Sequence, residues 1–143
     1  MVRHSTVIEN EVAESELFPL LVEAVKDKSD QVRKKAIAAL GEYMFYAATQ
    51  MDDEQAEACW EIPEEAIAII VKSLREGEDE TVRFYACKTL ENITAQSQSA
   101  GGRFASLDSA QSLLTLFLTP PQSSLNENLR TSSAVALCNL VRL

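Results

Sequence analysis

Histidine is almost missing from this chain: His4 is the only one in 143 residues, and it stands near one end. No zinc site of recognised Cys/His spacing can be assembled from it, and no metal or cofactor is expected. Cysteine is scarce too. Cys59, Cys87 and Cys138 are odd in number and form no close pair, so a disulfide framework is not expected. Cys87 and Cys138 lack a histidine nearby in sequence and read as small helical core residues, not as nucleophiles. Basic residues are few, 13 against 22 acidic ones, and the net charge of −9 repels phosphate backbones. Nucleic acid is therefore not an expected partner, although Arg33, Lys34 and Lys35 form a local basic cluster. No apolar run approaches the roughly 18 residues of a membrane span. The first residues, MVRHSTVIENEVAESE, lack the apolar core of a signal peptide and turn acidic at once. A cytoplasmic protein with no membrane contact is the expectation. No segment alternates apolar and polar with period two between turns, so no sheet is predicted.

What the chain does have is a repeated stretch. VRKKAIAALGEY from Val32, VRFYACKTLENI from Val82 and LRTSSAVALCNL from Leu129 share one skeleton, starting 50 and then 47 residues apart. In the middle copy Val82, Ala86, Leu90 and Ile93 fall on one helix face at spacings of four, four and three. Val32, Ala36, Leu40 and Tyr43 do the same, as do Leu129, Ser133, Leu137 and Leu140. A near-constant period of this length points to stacked helical repeats.

Each copy is preceded by a second amphipathic stretch. Residues 16–28 carry Leu17, Leu20, Leu21, Ala24 and Val25, with Pro19 in a first turn where a missing N–H does no harm. Ser29 or Asp30 is the predicted cap of a helix over 31–49, and Gly41 inside it implies close packing on a neighbouring helix. Residues 51–62 form an acidic connection. Pro63, Glu64 and Glu65 then start a helix with Ile67, Ile69, Ile70, Val71 and Leu74 as its apolar body, closed by Gly77 as a left-handed cap. Residues 96–106 are Ser/Gly-rich and predicted as a loop. A third pair begins near Leu107 with Leu113, Leu114, Leu116, Phe117 and Leu118, ends at Pro120-Pro121, and continues in a helix capped by Asn126. The expected architecture is all-α: a right-handed solenoid of about three helix pairs spanning 15–50, 62–96 and 107–143. Residues 1–14 are a tail or a partial cap helix.

At these residues the chain resembles the HEAT/armadillo superfamily, whose D-x-x-V-R-x-x-A-x-x-x-L pattern is matched by Asp79, Val82, Arg83, Ala86 and Leu90. The stretches YMFYAATQ at 43–50 and LREGEDETVRFYACKTLENI at 74–93 are similar to the armadillo/HEAT region of Fused-type Unc-51-like kinases and pseudokinases. That resemblance implies a scaffold linked to microtubules, cilia or cytokinesis. The kinase domain of the family is not matched: Gly41, Gly77, Gly101 and Gly102 fit no G-x-G-x-x-G loop, and His4 cannot supply an H-R-D loop.

The armadillo resemblance further implies a concave ladder that holds an extended peptide through an Asn two residues after the skeleton Leu. The matching positions are Glu42, Asn92 and Asn139; one turn earlier, Lys88 and Val135 complete the candidate surface. An Asn amide can both donate to and accept from a peptide backbone. The plainer reading makes these polar residues near a helix end. Glu42 interrupts the ladder at the first repeat. Trp60, within the acidic stretch 52–65, is a secondary candidate for anchoring a partner or else packs between the first two repeats; the acids around it would suit a basic partner. Arg33, Arg83 and Arg130 recur in register; they could bind acidic partners, but are expected instead to pair with acids such as Asp30 or Asp79 on adjacent repeats and so fix the stacking.

No catalytic arrangement is recognisable. The reading is a non-catalytic interaction scaffold. One alternative is a structural or oligomerising piece of a larger solenoid, self-associating through the apolar C-terminal Leu140, Val141 and Leu143. The other, a helical-repeat enzyme such as a DNA glycosylase, wants a basic groove, which the net charge disfavours.

Overall fold

The computed structural model describes residues 15–54 and 60–143. His4, Cys59 and the 1–14 tail or cap segment lie outside the described residues. Seven helices and no strand occur among those described: α1 (Leu17–Val25), α2 (Asp30–Met51), α3 (Glu64–Lys72), α4 (Glu80–Gln96), α5 (Gln98–Gly102), α6 (Leu107–Leu118) and α7 (Ser124–Arg142). They make three pairs, α1–α2, α3–α4 and α6–α7, with α5 in the connection before the third.

Local chemistry sets the helix starts. The Ser29 hydroxyl accepts from the Val32 N–H at the start of α2. The Asp79 carboxylate accepts from the N–H groups of Thr81 and Val82 at 2.8 and 3.2 Å, satisfying donors that have no partner inside α4. For α7 the cap is Ser123, which accepts from the Asn126 N–H at 3.1 Å. Asn126, the expected cap, instead sends its side-chain amide to Glu80 on the neighbouring repeat. Gly77, at φ +92°, turns the chain from α3 into α4 in the left-handed region that its missing Cβ permits.

The second helices of the pairs form the inner layer. Contacts are most extensive between α4 and α7 and between α2 and α4. Arg33 near the start of α2 meets Glu78 just before α4, Glu80 at the start of α4 meets Ser123 just before α7, and Asn139 late in α7 meets Glu91 and Thr94 late in α4. The three helices therefore run parallel and in register, with α4 in the middle. Val82, Ala86, Leu90 and Ile93 are all essentially inaccessible, and each large aliphatic side chain buried there contributes roughly 1.5–3 kcal/mol. Gly41 lies against α4: a Cβ built on it would stand 2.1 Å from the Thr89 hydroxyl oxygen. That approach is why the helix tolerates a residue of low helix propensity there.

The first helices contribute narrower stripes than their leucine content suggests. On α1 the buried residues are Phe18, Val22 and Val25, and Leu20 is 65% exposed. On α6 only Leu113 and Leu116 of the apolar set are buried, while Leu114 and Leu118 face solvent. The stretch expected to be a loop is partly helical and tied down: Ser97 caps α5, Phe104 is fully buried, and Arg103 donates to the Ile62 carbonyl at 2.6 Å and pairs with Glu64.

Candidate functional site

Glu42, Lys88, Asn92, Val135 and Asn139 lie on α2, α4 and α7, three adjacent parallel helices, so the structure brings the ladder positions onto one layer. Their environments differ. Asn92 is half-buried and has no hydrogen-bond partner among the described residues. Lys88 pairs with Glu91 one turn on at 2.9 Å. Val135 is 40% exposed. Glu42 is exposed.

Asn139 is the exception. Its amide donates to the Glu91 carbonyl and to the Thr94 hydroxyl, both at 3.2 Å. Its donor capacity is thus used to hold α7 to α4, which corrects the expectation of a free amide offered to a peptide. It also borders an open groove of about 430 Å³ at the C-terminal ends of α4 and α7, together with Gln96, Gln98 and Arg142. That groove was not anticipated from sequence, because its polar wall comes from the Ser/Gly-rich connection.

Trp60 is buried, packed edge-on to Tyr46 at 5.3 Å and Tyr43 at 6.1 Å between centroids. An indole so enclosed is not offered to a partner; of the two roles expected for Trp60, it takes the packing one.

The three arginines divide. Arg33 bridges Asp30 at 2.5 Å and Glu78 at 3.4 Å, and donates to the carbonyls of Asp27 and Lys28; it joins the first repeat to the second. Arg83 has no carboxylate partner among the described residues and its Nε is buried without an acceptor. Asp79, one of the acids expected to pair with these arginines, pairs with Lys34. The third repeat carries Leu125 and Asn126 where the second has Glu78 and Asp79, so no acid meets Arg83. Arg130 donates to the Phe117 carbonyl at 2.9 Å and lies over the Phe117 ring. It therefore ties α7 to α6 inside one repeat, not one repeat to the next. Between-repeat ion pairs that the sequence did not single out are Lys26–Glu65 at 2.6 Å and Arg75–Asp108 at 2.8 Å.

Burial, reinforced by the nearby Glu91 charge, pushes the Cys87 thiol up to about 12, so it stays protonated at neutral pH. Among the described residues no group of His, Cys, Asp and Glu is placed to hold a metal ion, and no helix is long and apolar enough to cross a membrane.

Residues 17–47 match the family model of the HEAT repeat. Beyond that matched stretch, the stacked helix pairs make the described residues an all-α solenoid. It is 30% identical over 154 aligned positions, 99% of its length, to a serine/threonine-protein kinase named RUNKEL from Arabidopsis thaliana. It is 28% identical over 142 positions, 97% of its length, to the mouse (Mus musculus) serine/threonine-protein kinase ULK4. The chain spans 11% of the length of each of these relatives. No solved structure matches it significantly.

Proposed function

We propose that this solenoid is a non-catalytic protein-interaction scaffold whose inner helix layer receives an extended segment of a partner protein. One observation carries the reading: Asn92, in the C-terminal half of the middle helix, keeps its amide uncommitted among the described residues, one turn from Lys88 and in the same helix layer as the exposed Val135. A half-buried amide with spare donor and acceptor capacity suits a peptide main chain. The excess of acids favours a basic segment. Similarity to two long kinase-named proteins, together with the Fused-type resemblance, supports a cytoplasmic role beside the cytoskeleton, at a cilium or in cytokinesis.

The test is an affinity capture from cell lysate with the wild-type chain and an Asn92→Ala, Val135→Asp double variant. Both changes are on accessible positions, and circular dichroism should give equal helix content. Partners bound by the wild type alone support the reading. Identical sets of partners for both baits refute it.

A second reading, self-association through the C-terminal end, is favoured by Val141, 87% exposed on α7.

A further inference from the structure

The junction between the second and third repeats lacks a carboxylate that the junction between the first and second has. At the first junction Arg33 pairs with Asp30 and with Glu78 of the next repeat, and donates to two carbonyls. At the second junction Arg83 stands in the same register, and Leu125 occupies the place of Glu78. The Arg83 guanidinium has no acceptor among the described residues: Nε is buried and unbonded, and the two Nη groups are unbonded but not buried. A guanidinium partly withdrawn from water with none of its donors matched costs stability. This gap lies between two described repeats, inside the stack.

Arg83 lines an open cleft of about 230 Å³ between the end of α3, the start of α4 and one face of α6. Gln111, Ser112 and Thr115 line it from α6, at helical spacing. The Thr115 hydroxyl donates to the Gln111 carbonyl at 2.9 Å. The Ser112 hydroxyl and the Gln111 side-chain amide have no partner among the described residues. Three side chains with donors and no internal acceptor therefore border one space. The other charges around it are Arg75, Asp108 and Glu76. Arg75 and Asp108 pair with each other at 2.8 Å, which leaves Arg83 and the exposed Glu76.

We propose that this cleft receives an oxyanion carried by a side chain of a partner protein, a carboxylate or a phosphate, with Arg83 as its counter-ion and Ser112 and Gln111 donating to it. The bound group supplies at the second junction what Glu78 supplies to Arg33 at the first. Either anion matches the planar fork of a guanidinium. The site goes beyond the inner-layer reading, since it uses neither Asn92 nor Val135. The overall charge of −9 opposes the approach of any anion, so the site acts by contact and not by long-range attraction.

Nuclear magnetic resonance titration of the isotope-labelled chain tests this with three probes at matched ionic strength. They are N-acetylglutamate amide, N-acetylphosphoserine amide and, as a neutral control, N-acetylglutamine amide. At least one of the two anions should shift the resonances of Arg83, Gln111 and Ser112 saturably, and the neutral probe should not; the tighter anion identifies the group on the partner. Arg83→Met keeps the apolar stem and should weaken that binding at least about tenfold. Its melting temperature should be no lower than that of the wild type, because no internal bond is lost. Glu76→Gln should tighten the binding about twofold, by removing the one opposing charge without a partner. Equal responses to all three probes, no saturable response to either anion, or unchanged affinity in Arg83→Met would overturn the proposal. So would a lowered melting temperature in Arg83→Met, which would mean that the guanidinium serves the fold.

Discussion

The two interfaces that flank α4 are built from the same repeat skeleton in different materials. Toward α2 the helix bodies meet in an apolar and close contact, with the ion pairs Arg33–Glu78 and Lys34–Asp79 at its N-terminal edge: Ile37, Leu40, Tyr43 and Met44 are inaccessible, and Gly41 lets the helices approach to within a side chain's thickness at Thr89. Toward α7 the contact is polar. Ser133 replaces Ala36 and Ala86, Asn139 bonds to Glu91 and Thr94, Glu80 accepts from Ser123 and Asn126, and Glu91 keeps one buried carboxylate oxygen without a partner. Leu137 and Leu140, counterparts of the inaccessible Leu90 and Ile93, are only half-buried. The lesson is that one spacing specifies the stacking direction, while the side chains at each junction decide how firmly neighbouring repeats hold. Apolar burial is non-directional and additive, whereas the polar junction depends on every donor finding its acceptor.

That contrast can be broken most severely at the shared leucine. Leu90→Ala should destabilise by about 2–5 kcal/mol through the cavity it leaves in the middle repeat. Leu137→Ala, at the equivalent half-buried site, should cost about 1 kcal/mol. Urea midpoints compared at unchanged slope measure both; equal losses would mean that the third repeat is as tightly packed as the second.

The next effect is at the close approach. Gly41→Ala should destabilise by about 1–3 kcal/mol, although alanine is the better helix former, because the new methyl meets the Thr89 hydroxyl, which is held by its bond to the Tyr85 carbonyl at 2.8 Å. Adding Thr89→Ala should recover part of the loss, giving a coupling visible in a double-mutant cycle. Strict additivity would show that the helices simply move apart.

On the polar side, Asn139→Ala should cost about 1–2 kcal/mol by removing both bonds to α4, and Asn92→Ala should change stability by less than about 0.5 kcal/mol. The pair separates a structural asparagine from one free to serve recognition. Thermal melts that rank them the other way would reverse the assignment.

The smallest effect concerns acid. Burial pushes the Asp79 carboxyl up, but the cap bonds from Val82 and Thr81 and the Lys34 charge outweigh it and hold the group below its ordinary value. Asp52 is also held low, first by the Ser99 hydroxyl and then by that of Ser97. A carboxylate depressed in the folded state contributes stability that is present above its unfolded value, near 4, and is lost as pH falls through the folded one. Stability should therefore decline below about pH 4, and Asp79→Asn should flatten the decline. A variant with the wild-type profile would remove the cap from the account.

Much of this was readable in advance because it is local. Spacings of four, four and three placed Val82, Ala86, Leu90 and Ile93 on one face, Gly77 marked a left-handed turn, and Gly41 signalled a close neighbour. Other features were decided by stacking between residues some 45 positions apart. Leu20, Leu114 and Leu118 are as apolar as Leu113, and only the packing of neighbouring pairs determines which of them is covered. Arg83 and Arg130 share a register with Arg33, but their partners depend on what the following repeat carries at the matching loop. Asn139 looked like a recognition residue because its internal acceptors, a carbonyl and a hydroxyl on α4, leave no trace in local spacing. Ser123 won the α7 cap from Asn126 because Glu80 claimed that amide.

Helix α4 is the keystone of the stack, firmly held by α2 and less firmly by α7. Native-state hydrogen exchange resolved by helix tests it most directly. The slowest exchange is expected in α4 around Leu90, nearly matched by the middle of α2, with faster opening of α7 toward Leu140. Equal protection of α7 and α4, or an α4 that opens before α7, would contradict it.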